Sequence, residues 1–124
     1  MSKLEIYKKI CLLLPESEET YPFGFDYCVM KVNDKIFAIL NNEEISLKCD
    51  PDLALNYRDM YEGVREGYHL NKKYWNTVTF GSDVSKKAII EMIIHSYECV
   101  VRKMTKNTRE ILLSKLEDQR ERVK

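Results

Sequence analysis

The sequence predicts an α+β protein in which helices pack against an antiparallel β-sheet. Residues 27–48 are rich in strand-forming side chains and are interrupted by short turns, as in an antiparallel meander with one solvated face. Residues 85–104 carry a broad apolar stripe at helical spacing, which is typical of a helix buried against a sheet. A chain of 124 residues is long enough to bury one core.

Residues at the predicted helix ends mark the helices. Ser2-Lys3-Leu4-Glu5 reads as a capping box, and Pro15 ends the first helix because a proline pushes the preceding residue out of α space. Asp50-Pro51 begins the second helix with an acid at the N-cap and proline at the first helical position. Ser85 is expected to cap the long third helix.

Short polar turns separate the predicted strands. Asn33-Asp34 is a two-residue turn that tolerates positive φ, and the acidic segment 16–20 is expected to be a solvated connector. A further strand covers residues 75–80, after a short extended link at 64–67. The predicted order is therefore α-β-β-β-α-β-β-α-α, with the first three strands at 27–32, 35–40 and 44–48.

We predict a single domain over residues 1–106, followed by a C-terminal helical extension over residues 107–124. Asn107 opens the last helix, and only a narrow apolar edge runs along it, formed by Ile111, Leu112 and Leu116. Because this edge is so narrow, we expect the domain to fold without the extension.

The composition favours a cytoplasmic protein. Hydrophobic residues make up 44% and charged residues 32%, which are ordinary globular values, and no apolar run approaches the length of a membrane span. The N-terminus lacks the apolar region of a signal peptide. The four cysteines form no CxxC pair and suit free thiols in a reducing compartment. We therefore expect no membrane association, no cofactor and no metal site.

The charge balance limits any nucleic-acid surface to a local patch. Lys plus Arg and Asp plus Glu both total 20, so no net charge steers the protein towards DNA. Residues 102–124 nevertheless hold 8 basic and 4 acidic groups, which gives a local net charge of +4.

Residues 65–78 carry the most distinctive chemistry of the chain. This stretch holds the sole tryptophan, Trp75, and interleaves basic and aromatic side chains as a nucleic-acid surface does. The alternative is that Tyr68 and Trp75 anchor the core while Lys72 and Lys73 are merely solvated. For Trp75 we favour the core, and for the two lysines both interpretations stay open.

Both histidines and Cys49 are candidates for a catalytic role. His69 lies in the turn and could contact phosphate, act as a base or cap local backbone. His95 is expected on a solvated helical face as an ion-pair partner of Glu91, and Cys49 directly precedes the Asp50 N-cap. No HExxH, Walker lysine, GxGxxG or ordered Ser/His/Asp set is present, so we expect no enzymatic activity.

Five segments together resemble the MmcQ/YjbR family of small bacterial proteins. They are residues 21–24 (YPFG), 31–38, 45–51, 67–78 (GYHLNKKYWNTV) and 95–98 (HSYE). The resemblance implies a fold similar to type III secretion chaperones and to a double-wing DNA-binding domain. Two positions depart from the family pattern: Tyr74 stands where histidine is common, and Glu66 stands where proline is common.

From these observations we predict a monomeric DNA-binding protein of the MmcQ/YjbR type. The residues expected to contact DNA are Arg65, His69, Lys72, Lys73 and Tyr74. The alternative is a protein–protein interaction module that uses its sheet face, without nucleic-acid binding.

Overall fold

A computed structural model describes residues 1–67 and 70–123 and confirms the predicted α+β class. In this part of the chain, helices pack against one face of an antiparallel sheet. In chain order the elements are α1 (Lys3–Leu12), β1 (Ser17–Thr20), β2 (Cys28–Val32), β3 (Lys35–Leu40), β4 (Glu44–Lys48), α2 (Pro51–Met60), β5 (Val64–Glu66), β6 (Trp75–Thr79), α3 (Lys86–Val101) and α4 (Lys106–Val123). The strands lie in the order β1-β2-β3-β4-β6-β5. No described helix has both the length and the apolar character needed to cross a bilayer.

Local capping and turn chemistry is as predicted at Ser2, at Ser85 and in the Asn33-Asp34 turn, whereas Asn107, predicted to open the last helix, lies within the first turn of that helix. The Ser2 hydroxyl accepts the Glu5 N–H at 3.1 Å, and the Ser85 hydroxyl accepts the Ala88 N–H at 3.1 Å. Asn33 and Asp34 have φ angles of 48° and 64°, the left-handed pair that a two-residue hairpin turn requires. These elements therefore form where short-range interactions alone specify them.

Strand β1 corrects the prediction of a solvated connector at residues 16–20. Ser17–Thr20 pairs antiparallel with β2, from Ser17 opposite Val32 to Thr20 opposite Val29. The Thr20 hydroxyl also donates to the Val29 carbonyl at 2.7 Å. Acidic side chains are tolerated here because β1 is an edge strand, where charge discourages pairing with other chains. The other elements follow the predicted order.

The core lies between the sheet and the helices. Tyr97 on α3 is fully buried, packs edge-on against Phe37 with ring centroids 5.5 Å apart, and donates its hydroxyl to the Pro15 carbonyl at 2.6 Å. The stacked rings of Tyr7 and Phe80, 4.8 Å apart, join α1 to the segment that follows β6. Large apolar side chains from strands and helices thus form one continuous core.

Helix α4 begins at Lys106, next to the domain boundary predicted at residues 106/107, and it packs on the core. Leu112 and Leu116 are 3% and 2% exposed and belong to the core cluster. The Arg120 guanidinium lies 2.9 Å from the Glu98 carboxylate on α3. The helix is therefore attached more firmly than its narrow apolar edge suggests.

We predict that Leu112→Ala and Leu116→Ala each lower the free energy of unfolding by about 2–5 kcal/mol, because each leaves a cavity under α4. Ile111→Ala is the matched control. Because Ile111 is 46% exposed, this substitution should lower the free energy of unfolding much less. Urea denaturation monitored by circular dichroism measures all three. Equal, small effects for the three variants would show that the domain does not depend on α4.

Candidate functional site

Two cations of the predicted DNA-contacting set are already neutralised by neighbours. Arg65 on β5 donates to both oxygens of Glu44, at 3.1 and 3.0 Å, and to the Thr79 hydroxyl at 3.0 Å. The Lys72 ammonium lies 3.4 Å from the Glu66 carboxylate. Neither side chain therefore offers an uncompensated charge. His69 lies outside the described residues, as does Tyr68.

Lys73 and Tyr74 lie in a turn that precedes β6 and is held by Asn71. The Asn71 side chain accepts the Lys73 N–H at 3.1 Å, and its carbonyl accepts the N–H groups of Tyr74 and Trp75 at 3.1 and 3.0 Å. Asn71 thus holds a tight turn through both its side chain and its backbone carbonyl. Gly67 lets this turn close, because a Cβ there would lie 2.8 Å from the Trp75 Cβ.

Tyr74 lies against two ammonium groups. Lys73 Nζ is 5.6 Å from the centre of the ring, and Lys103 Nζ, from the segment after α3, is 5.4 Å from it. Cations at this distance are attracted by the negative face of an aromatic ring. The ring therefore brings a lysine that is remote in sequence to the edge of the predicted patch.

Lys103 also lines an open groove of about 780 Å³. The groove runs between the β2–β3 turn, the end of β4, the start of β6 and the α3–α4 connection, and we call it the lysine groove. Its lining includes Lys35, Lys48, Trp75, Lys103, Thr105 and Thr108. It combines cations, hydroxyls and one large aromatic side chain, which are the groups that hold phosphate and stack on bases.

The lysine groove carries positive charge without a matching acid. Burial and the neighbouring Lys103 ammonium lower the pKa of Lys48, so like charges already repel one another here. Asp34 also lines the groove, but it lies 3.7 Å from Lys31. Among the side chains that the structure describes, no carboxylate lies within 4.0 Å of the ammonium groups of Lys35, Lys48, Lys73 or Lys103. An anion would relieve this repulsion.

Trp75 is half-buried and faces the lysine groove, which corrects its predicted place in the core. It pairs with Lys48 across β4 and β6, whereas Asn76 and Val78 are the β6 residues turned towards the helices. The alternation of Trp75 with Thr77 and Thr79 was the signal for this, since alternate residues of a strand lie on one face of the sheet and these three lie on the face away from Val78. Trp75 is thus available to a ligand.

Sequence reasoning missed Lys48 and Lys103, and with them the groove. The sequence does show that Lys48 alternates outward in its strand and that residues 102–124 are positively charged. It does not show that Lys48 and Lys103 lie in the same groove, because this depends on how the end of α3 packs beside the end of β4.

A second polar cluster corrects the prediction for His95. Instead of facing solvent, His95 is half-buried, and its Nε2 lies 3.3 Å from the Cys99 sulfur and 3.7 Å from an Asp50 carboxylate oxygen. Burial raises the pKa of the Cys99 thiol to about 11, so this cysteine is not an activated nucleophile. All four cysteines are buried and unpaired, as expected: Cys11, Cys28, Cys49 and Cys99.

Fold and site together define a small α+β protein with a cationic, aromatic groove at one end of its sheet. The chain belongs to the YjbR family, whose model matches residues 12–99. It is 35% identical over 101 residues to YbdF of Escherichia coli O157:H7, covering 78% of this chain and 83% of that protein. It is 29% identical over 107 residues to YjbR of Escherichia coli K12, covering 83% and 91%.

Solved structures agree with this assignment. The crystal structure of a Deinococcus radiodurans protein with the domain named DUF419 matches with a TM-score of 0.82 and 33% identity, covering 90% of this chain and 88% of that one. A Pseudomonas syringae protein matches with a TM-score of 0.65 and 24% identity over 77% of this chain and 96% of that one, which supports the fold alone.

We predict that Lys103→Gln raises the pKa of Lys48 towards its ordinary value, because removing a neighbouring like charge favours the protonated amine. Lys35→Gln is the control, since Lys35 is not among the charges that lower this pKa. Side-chain NMR titration of Lys48 in the two variants measures the effect. An unchanged Lys48 pKa in Lys103→Gln would mean that the two ammonium groups are not close in solution.

Proposed function

We propose that this YjbR-family protein binds DNA through the lysine groove, as a cytoplasmic binding protein and not as an enzyme. The observation that carries the proposal is the pair of unneutralised ammonium groups of Lys48 and Lys103 beside the accessible ring of Trp75. Four free, buried thiols fit a reducing compartment.

The predicted set of contacts is revised accordingly. Lys73 and Tyr74 remain in it, because they border the groove through their contacts with each other and with Lys103. Arg65 and Lys72 are less suited, since each would have to give up a carboxylate partner to bind phosphate. Binding then depends on cations that lose no internal ion pair.

The shape of the groove favours a single strand over a duplex. Trp75 is half-buried at the side of the groove, where an unstacked base can reach its ring. A base in an intact duplex is stacked on both faces and cannot do so, whereas base–aromatic stacking contributes about 1–3 kcal/mol per base for single strands. Because the net charge is zero, attraction is confined to the groove and should be strongly salt-dependent.

We predict that Lys48→Ala combined with Lys103→Ala weakens binding to a labelled oligothymidine and lowers the slope of log K against log salt by about 0.7 per lysine. Lys72→Ala is the matched control, because Lys72 is an exposed lysine outside the groove and is paired with Glu66. Fluorescence anisotropy over a series of salt concentrations, repeated with a duplex, measures the effect.

Two results would count against this proposal. If the wild-type protein shows no salt-sensitive affinity for either form of DNA, the groove is not a DNA site. If Lys72→Ala reduces the slope as much as the groove variants do, the contact surface is the patch expected from the sequence. Circular dichroism on each variant confirms that the fold is retained.

A second candidate function, protein–protein interaction, is favoured by a separate observation. The loop between β1 and β2 exposes three aromatic side chains: Phe23, Phe25 and Tyr27 are 65%, 91% and 45% exposed. Exposed aromatic side chains of this kind are enriched at protein interfaces. On the sheet face away from the helices, Ser46 and Thr77 are buried and their hydroxyls satisfy each other at 2.8 Å, so neither is offered to a partner.

If this loop mediates self-association, Phe25→Ser should abolish a concentration-dependent dimer in sedimentation-velocity experiments. Leu55→Ser, which replaces a 59% exposed apolar side chain on α2, is the control and should leave the dimer intact. A wild-type chain that stays monomeric at every concentration contradicts a role of the loop in self-association and agrees with the monomer expected from the sequence.

A further inference from the structure

Asp50, His95 and Cys99 bring three kinds of metal-ligating group to one point beside the start of α2. One donor atom from each residue lies within 4.8 Å of the others. His95 and Cys99 are four residues apart on α3 and therefore lie on the same face of the helix, one turn apart. Asp50 reaches them from the N-cap of α2. The cluster is thus built from two separate helices and shares no residue with the lining of the lysine groove.

The three donor groups lie near enough to one another to approach a single metal ion. The Cys99 sulfur is 3.3 Å from His95 Nε2 and 3.8 Å from Asp50 Oδ1, and Nε2 is 3.7 Å from Asp50 Oδ2. Tetrahedral zinc with bonds of about 2.0–2.3 Å places its ligand atoms about 3.3–3.6 Å apart. The two distances to Asp50 run to different oxygens, and one donor atom per residue lies within 4.8 Å of the others. A movement of about 1 Å, which rotation of the exposed Asp50 side chain can supply, would therefore close the three groups around one ion.

The three donor groups converge on one nitrogen. The Asp50 N–H lies 3.2 Å from His95 Nε2, and the Asp50 carboxylate and the Cys99 sulfur lie beside the same nitrogen. A cation bound to all three groups would replace the amide at Nε2, and the Cys99 thiol would release its proton to solvent.

The position of the Asp50 side chain is a second indication of a metal site. An aspartate at an N-cap normally accepts a backbone N–H from the first turn of its helix. The Asp50 side chain makes no such bond and lies beside His95 and Cys99 instead. Its side chain is also 62% exposed, which leaves a path for an ion from solvent.

We propose that Asp50, His95 and Cys99 bind one Zn²⁺ ion, with a fourth coordination position open to water. A set of thiolate, imidazole and carboxylate ligands suits zinc, whereas Mg²⁺ and Ca²⁺ prefer oxygen ligands alone. The site holds the ion at the junction of α2, α3 and the end of β4.

The test uses the reduced full-length protein titrated with Co²⁺, which gives a thiolate-to-cobalt charge-transfer band when cysteine is a ligand. We expect one equivalent of Co²⁺ to produce this band and one equivalent of Zn²⁺ to abolish it. Cys99→Ser should remove the band, and His95→Gln and Asp50→Asn should each weaken Zn²⁺ binding by at least about 10-fold in competition with a chelating dye.

Cys49→Ser is the matched control, because Cys49 is a buried thiol next to Asp50 in the sequence but is not part of the cluster. It should bind Co²⁺ and Zn²⁺ as the wild type does. Should Cys99→Ser fail to fold, Asp50→Asn still decides the question, since Asp50 is exposed and its side chain caps no helix. The proposal is overturned if the wild type gives no charge-transfer band, if Asp50→Asn and His95→Gln bind Zn²⁺ unchanged, or if Cys49→Ser removes the band.

Discussion

The hydroxyl of Ser96 fixes the position of the long helix α3 on the sheet. This fully buried group donates to the Phe37 carbonyl of β3 at 2.6 Å and accepts the Lys48 N–H of β4 at 2.8 Å. One side chain thereby joins α3 to two adjacent central strands. Both candidate sites depend on this contact, because it places the end of α3 beside Lys48 and the His95 turn beside Asp50. Without it, two buried backbone groups would lose their partner, at a cost of about 1–3 kcal/mol each.

The residues next to Ser96 connect α3 to other parts of the fold. His95 faces Asp50 at the start of α2, and Tyr97 reaches the Pro15 carbonyl beyond α1. Glu98 accepts from Arg102 at 2.9 Å and from Arg120 on α4 at 2.9 Å. Successive residues of one helix point about 100° apart, so four neighbours can address four different parts of the fold. Residues 95–98 (HSYE) therefore link α3 to the sheet, to the start of α2, to the segment after α1 and to α4.

The sequence was informative where the deciding interactions are short-range. The Ser2 and Ser85 caps and the Asn33-Asp34 turn each depend on contacts within four residues, and all three were predicted. Strand β1 was missed because an acidic edge strand has no apolar alternation, and only pairing with β2 defines it. The lysine groove was missed for the same reason: Lys48 and Lys103 are adjacent only after α3 has docked. The pairing of Lys72 with Glu66 could be predicted in part, because the sequence shows an acid at position 66, close to the predicted DNA-contacting residues.

The tyrosine at position 74 fits the electrostatics of the groove. A histidine, which the resemblance to the family led us to expect at this position, would lie close to two cations, because Lys73 and Lys103 are both within 6 Å of the ring centre. A protonated imidazole would add a third positive charge at this point, and the two ammonium groups would oppose its protonation. A neutral phenol ring instead attracts both cations and keeps Lys103 turned towards the groove. Tyr74 and Lys103 are thus physically consistent with each other, because a neutral ring attracts an ammonium group that a protonated histidine would repel.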